Sequence, residues 1–275
     1  MKHILLAAVL LISVKAFSQT FEGTIKWTIK MEITDPKQKA QLEAAQKKLN
    51  DPTTQAQIKE MQAKMNDPQF KAMMDSNPQM KAQIEKMVAG LQGGDMNSMI
   101  PKGLTVKIKN QNSLTKMEGG MFASEILSLN DKAKTYSLDR ANKTYSVLNA
   151  PDEKEKTTKD ADVKVTKTSE TAKVLNYNCT KYIVDITSAG GTKMTQYIWA
   201  TTEIKDFDLK SLAKQRFGKG GQRMFYESID GVPLKIEMRM AEANMSMEAT
   251  GIKKEALNAS DFVIPADFKE VPNTY

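Results

Sequence analysis

Sulfur is the chemistry this sequence offers most often. Met61, Met65, Met73, Met74, Met80, Met87, Met96 and Met99 crowd one stretch, and Met238, Met240, Met245 and Met247 form two Met-x-Met pairs. Thioethers are flexible and polarizable, so a row of them makes an apolar surface that repacks around varied partners. They are also soft ligands that suit Cu(I). On a strand, however, Met-x-Met is the pattern of an ordinary apolar face, and we read the second set as core. Nitrogen and thiol chemistry is scarce. Cys179 is the single cysteine, so it has no disulfide partner within the chain, and we read it as buried. His3 is the single histidine and falls in a segment that reads as removable. Without it no Ser-His-Asp, Cys-His or histidine zinc site can be assembled. Ser113-Leu-Thr-Lys116 and Ser211-Leu-Ala-Lys214 match S-x-x-K, but the S-D-N and K-T-G companions are missing. Carboxylates alternate with lysines, and no pair stands out as acid and base. The residues therefore predict no catalytic group, no metal and no cofactor.

That removable segment is residues 1–18, MKHILLAAVLLISVKAFS. Lys2 and His3 give a charged start, and Ile4 to Val14 is an apolar run too short to anchor in a bilayer. Ala16 and Ser18 supply small residues for cleavage before Gln19. It reads as an export signal and predicts a periplasmic, or alternatively secreted, protein. No cysteine follows the cut to carry a lipid, and no later run predicts a transmembrane anchor. The formal charge of +7 becomes +5 once Lys2 and Lys15 leave. That modest, scattered excess does not suggest nucleic acid.

The elements that must position these residues follow from periodicity. Phe21 to Ile33 alternates cleanly, with Trp27 on the apolar face, and predicts a long strand. The period then turns helical and repeats every 16 residues. Asp35-Pro36, Asp51-Pro52 and Asp67-Pro68 each pair an N-cap with a proline at the first helical position, and Asn77-Pro78 starts a fourth unit early. Helices are predicted at about 36–49, 52–65, 68–75 and 78–91. After Pro101 the period of two returns. Hairpins are expected around 140–142, around 188–191, and at Asp230-Gly231 between 224–229 and 232–240. A short helix is expected at 206–217, and Gly251 is a candidate bulge. The chain is thus one α+β domain over 19–275, a large antiparallel sheet with a Met-rich helical insertion at 36–100.

Three segments carry a family likeness. Tyr177-Asn-Cys179-Thr-Lys-Tyr182, the opening Phe21-Glu-Gly-Thr-Ile25, and the closing Phe262-Val-Ile-Pro265-Ala-Asp-Phe268 together resemble domain-of-unknown-function family 4412. That family occurs in exported bacterial proteins, often of the Bacteroidota. Asn176 stands where the family usually has glycine. The family is similar to the LolA-like carriers. The resemblance implies a curved antiparallel half-barrel whose concave face is covered by helices, with lipid acyl chains held beneath them. It implies no catalytic residue.

Taken together, these readings predict a non-enzymatic carrier for an apolar ligand, a lipid or acyl group, held between sheet and helices. The expected lining is Met61, Met65, Phe70, Met73, Met74, Met80 and Met87 from the helices, with Trp27 and Trp199 from the sheet. The Asp-Pro starts also look like small co-chaperone modules. A chaperone for unfolded peptides or envelope proteins is therefore one alternative, and a ligand-free structural protein of the envelope stress response is another.

Overall fold

Alternating strands and the first three proline-punctuated helices form where the sequence places them, in a computed structural model of the chain; the fourth, expected at 78–91, lies outside the described residues except for Met80, Ile84 and Val88. The structure describes residues 21–76, 101–119, 123–148, 162–188, 190–205, 228–240 and 242–272, with Met80, Ile84, Val88, Phe207 and Tyr226. The export segment 1–18, Met87, Met96, Met99 and the helix expected at 206–217 lie outside the described residues, except Phe207.

Strand β1 (Gly23–Ile33) leads into helices α1 (Pro36–Leu49), α2 (Pro52–Met65) and α3 (Pro68–Ser76). Strands β2 (Gly103–Lys109), β3 (Asn112–Glu118), β4 (Ser124–Leu129), β5 (Lys134–Asp139) and β6 (Thr144–Leu148) follow. Then come β7 (Asp162–Val174), β8 (Tyr177–Thr187), β9 (Lys193–Thr201), β10 (Val232–Arg239), β11 (Ala243–Lys254) and the short β12 (Lys269–Glu270). Among the described residues all twelve strands join one open sheet in the order β12-β6-β5-β4-β3-β2-β1-β11-β10-β9-β8-β7. The pairs are antiparallel except β12 with β6. The α+β class and the large antiparallel sheet are as expected, but α1, α2 and α3 do not form the expected cover over the sheet, since neither of its core clusters contains a residue from them. No described helix is long and apolar enough to cross a membrane.

The sheet buries opposite faces at its two ends. On one face the cross-strand row Ile29–Met247–Ile236–Ile198–Tyr182 is buried throughout. Trp27, Leu104, Val106 and Cys179 belong to the same cluster, and Ile204, Tyr226 and Ile229 pack over it. On the other face the row Leu114–Leu127–Tyr136–Val147 starts opposite Lys107, a residue between the first core's Val106 and Ile108. A C-terminal segment with a short 3-10 helix (Ala259–Phe262) covers this second core through Leu257, Phe262, Ile264 and Phe268. The family's closing motif thereby gains a physical role: Phe262 and Phe268 fill the second core, and a turn brings Phe268 N–H to Pro265 O at 3.0 Å. The end of β11 is tied back to β1 where Glu22 accepts from Lys109 Nζ at 2.6 Å and Leu257 N–H at 2.6 Å. The Lys109 bond, reinforced by the Leu257 amide, holds the Glu22 carboxyl below its ordinary range.

Two local expectations need refinement. The bulge sits between β1 and β11, where Lys26 pairs Gly251 and Trp27 pairs Ala249, so Thr250 is the extra residue. Asp230-Gly231 does not join two neighbouring strands. Val232 begins β10 opposite Thr201 of β9, β10 is flanked by β9 and β11, and none of the described residues between Thr201 and Val232 lies in a strand. Gly231 adopts φ 89°, and a Cβ there would sit 2.1 Å from Thr201 O. Glycine is thus required for close approach to β9, a demand that reads like a hairpin signal in sequence.

Candidate functional site

The three helices start as their repeats require. Asp35 accepts from Gln38 N–H at 2.7 Å, Asp51 from Thr53 N–H at 2.9 Å, and Asp67 from Gln69 N–H at 2.9 Å. Each cap satisfies an otherwise orphaned amide, worth about 1 kcal/mol, and each proline sits where no N–H is needed. Asn50 and Asn66 end α1 and α2: Asn50 N–H donates to Gln46 O and Asp51 N–H to Lys48 O, and Asn66 N–H donates to Ala63 O and Asp67 N–H to Lys64 O. The arm is joined to the sheet by Thr34 N–H on Glu242 O at 2.9 Å, and by Gln38 Nε2 on the Glu242 carboxylate.

Neither core cluster takes a residue from α1, α2 or α3. Within the arm, Leu49, Ile58, Met74 and Val88 are buried, and Met65, Phe70, Met80 and Ile84 are half-buried. Met61 and Met73 are exposed, at 36% and 48%. Phe70 and Met73 line an open cleft of about 570 Å³ at the α2–α3 junction, with Ala63 beside them and Glu60, Lys64 and Asp67 at its rim. Such a cleft presents methionine and an aromatic ring between charged edges. It offers apolar contact with little directional bonding.

The two tryptophans part company. Trp27 is 2% exposed in the first core and donates its Nε1–H to Pro233 O at 3.2 Å. Trp199 pairs with Lys235, Lys235 with Glu248, and Glu248 with Thr28, the neighbour of Trp27. The tryptophans therefore occupy opposite faces and cannot line one cavity. Trp199 and Tyr197 lie half-exposed on the solvated face under cations. Lys181 Nζ is 5.0 Å from the Tyr197 ring and 5.7 Å from the Trp199 ring, and Lys235 Nζ is 5.0 Å from Trp199. The periodicity of β9 reports this correctly, since Gln196, Ile198 and Ala200 hold the buried positions.

Other chemical motifs resolve. Met238 pairs directly with Met245, and both, with Met247, are buried in the first core. Ser113 and Lys116 lie three apart on β3, so they face opposite sides; Ser113 is fully buried and Lys116 exposed. The second S-x-x-K, Ser211 and Lys214, lies outside the described residues. Sequence reasoning missed strand β7, the C-terminal cover and a polar groove on the solvated face of β1–β3. For the cover a signal existed: Asn258 caps Ser260 N–H at 3.2 Å, and Phe262 follows.

Cys179 is buried, and burial pushes its thiol up to about 11 from an ordinary 9.0. An unfolded chain loses this proton near pH 9, whereas the folded chain keeps it. Stability from this group is thus full below pH 9 and declines as pH rises toward 11, by roughly 2–3 kcal/mol. The urea midpoint of the wild type should fall further between pH 8 and pH 10.5 than that of Cys179→Ala. Equal falls would show that the folded thiol ionises normally.

Comparison with known proteins places the chain. No curated protein matches it. Among solved structures it is similar to a LolA superfamily protein, NE2245 from Nitrosomonas europaea, at 9% identity and TM-score 0.30, over 89% of this chain and 90% of that one. It is also similar to LprF from Mycobacterium bovis, at 12% identity and TM-score 0.28, over 62% and 84%. PNGF-II matches at 18% identity and TM-score 0.27 over 60% of this chain, which spans only 28% of that one. At these scores the likenesses lend no weight to a function. The model of a domain of unknown function, DUF4412, matches residues 86–268 of 275, well over half the sequence. That stretch runs from just before β2 through the C-terminal cover, and it contains Tyr177, Cys179, Tyr182, Phe262, Pro265 and Phe268. By that match the chain belongs to the DUF4412 family.

Proposed function

We propose that this chain is an exported, non-enzymatic binding protein for an apolar ligand, a lipid or acyl chain, gripped by its Met-rich helical insertion at 36–100. The observation that carries this reading is the α2–α3 cleft, where Phe70 and Met73 stand open while both sheet cores close without helical residues. Met61 and Met65 on α2 and Met80 beyond α3 add exposed or half-buried thioethers to the arm. The export signal read in residues 1–18 supports a periplasmic setting, where acyl chains need cover from water. Affinity would come from apolar area, about 1.5–3 kcal/mol for each fully covered Phe or Met side chain.

Native mass spectrometry of protein exported in the cell and gently purified tests this. Lipid-mass adducts are expected, and Phe70→Ser with Met73→Ser should reduce them at least about tenfold, the equivalent of 1.4 kcal/mol. Bare protein throughout, or adducts indifferent to the double substitution, would sink the reading. Capture of unfolded peptide without lipid would favour the chaperone alternative.

A further inference from the structure

On the solvated face, cross-strand pairing sets Lys26 of β1 and Lys116 of β3 on either side of Thr105 of β2. Neighbouring strands lie about 4.8 Å apart, so the two lysines start roughly 10 Å from each other and their ammonium groups can converge on one ligand. They line a groove of about 660 Å³, a size that suits a small organic ligand. Gly251 forms part of its wall, and nothing stands within 4 Å of where a Cβ would be, so the groove is open there.

Charge accounting inside the groove decides what it would hold. Lys116 is paired across the strands with Glu125, its natural partner. Glu125 is taken instead by Arg140, whose Nε donates to both carboxylate oxygens at 2.7 and 2.9 Å while Nη2 adds a third bond. The Asp261 carboxylate from the C-terminal cover is held by Lys107 at 2.8 Å. Glu255 is held by Lys253 and by the Thr24 hydroxyl at 3.0 Å. Three of the groove's four acids are therefore committed, and only Glu118 is left. Among the described residues Lys26 and Lys116 have no ion-pair partner. Two free ammoniums flanked by a threonine hydroxyl, in a groove with five cations to four acids, suit an oxyanion.

We propose that this groove binds a phosphate ester through Lys26 and Lys116, with Thr105 between them. It lies on the face opposite the first core and away from the helical arm, so it is independent of the apolar site. A free phosphate ester and a phospholipid headgroup share this chemistry. The full mature chain would be titrated with glycerol phosphate by calorimetry at low salt. In parallel it would be co-sedimented with vesicles of phosphatidylglycerol, and of phosphatidylcholine as a neutral control. Binding in the first assay assigns a soluble ester. Binding only to phosphatidylglycerol vesicles assigns a headgroup.

In whichever assay responds, Lys26→Gln with Lys116→Gln should weaken binding at least about tenfold. Lys164→Gln with Lys193→Gln, two exposed lysines on β7 and β9, should change it less than about twofold. Glu125→Gln provides the opposite sign. It frees Arg140 beside Lys116 and should tighten binding about two- to fivefold, a gain no unfolding could mimic. Absence of binding in both assays, equal loss from the two lysine pairs, or weaker binding in Glu125→Gln would each overturn the assignment.

Discussion

Replacing Trp27 with alanine should cost about 3–5 kcal/mol, the largest loss expected from a single change in this sheet. The indole is almost wholly enclosed on the central strand β1, with paired neighbours Leu104 and Ala249 on either side. Removing it opens a cavity where β1, β2 and β11 meet. It also strips Pro233 O of the Nε1–H donor, 3.2 Å away. Pro233 cannot donate to the ladder itself, and the β9–β10 register shifts just after it, so this bond steadies an irregular spot. Trp27→Phe should therefore cost less than alanine, yet still about 1–2 kcal/mol for the orphaned carbonyl and the smaller ring. Trp199→Ala, on the solvated face, should cost about 1 kcal/mol or less. Urea denaturation of the three variants checks the order. With two tryptophans in the chain, each alanine variant also isolates the other's fluorescence. Trp199→Ala should leave a blue, quencher-resistant emission and Trp27→Ala a redder, accessible one. A mild effect at Trp27, or an equal one at Trp199, would mean that the two faces have been assigned the wrong way round.

The elements were far more legible than the site. Period-two alternation located β1 within two residues, and Asp-Pro pairs located α1, α2 and α3 within one. These are local signals, written by caps and by a one-sided burial that repeats along the chain. What stayed hidden depends on partners distant in sequence. Nothing in the spacing of Leu114, Leu127 and Tyr136 says that they are buried on the opposite face from Ile25 and Trp27. That reversal follows from register across β2 and β3 and from a cover supplied by Leu257 and Phe262, more than a hundred residues away. Trp199 shares its strand face with Thr195 and Tyr197, and in β9 that face is the wet one, because Gln196, Ile198 and Ala200 take the buried positions. The groove lysines were invisible for a different reason. Lys26 and Lys116 look like any solvated lysine until the structure shows Arg140 holding Glu125, the acid that would otherwise neutralise Lys116.

Excising residues 36–100 should leave the sheet folded and remove apolar binding. Strands β1 and β2 already pair directly, from Gly23 opposite Ile108 to Thr28 opposite Gly103, so the arm is an excursion from an existing antiparallel connection. β1 overshoots that pairing by five residues, to Ile33, where it stays paired to β11. A return over about 17 Å is needed, and a linker of about ten Gly and Ser residues spans it without strain. Leu49, Ile58 and Met74 leave with the arm, but they belong to neither core, so the sheet loses no packing partner from its clusters. Circular dichroism should lose its helical component and keep its β signal, with a cooperative thermal transition within a few degrees of the parent. Lipid adducts should disappear, while phosphate-ester binding at Lys26 and Lys116 should persist, because that groove draws no residue from the arm. Collapse of the sheet would make the helices structural cover. Retained adducts on an intact sheet would move the apolar site from the methionines of α2 and α3 onto the strands.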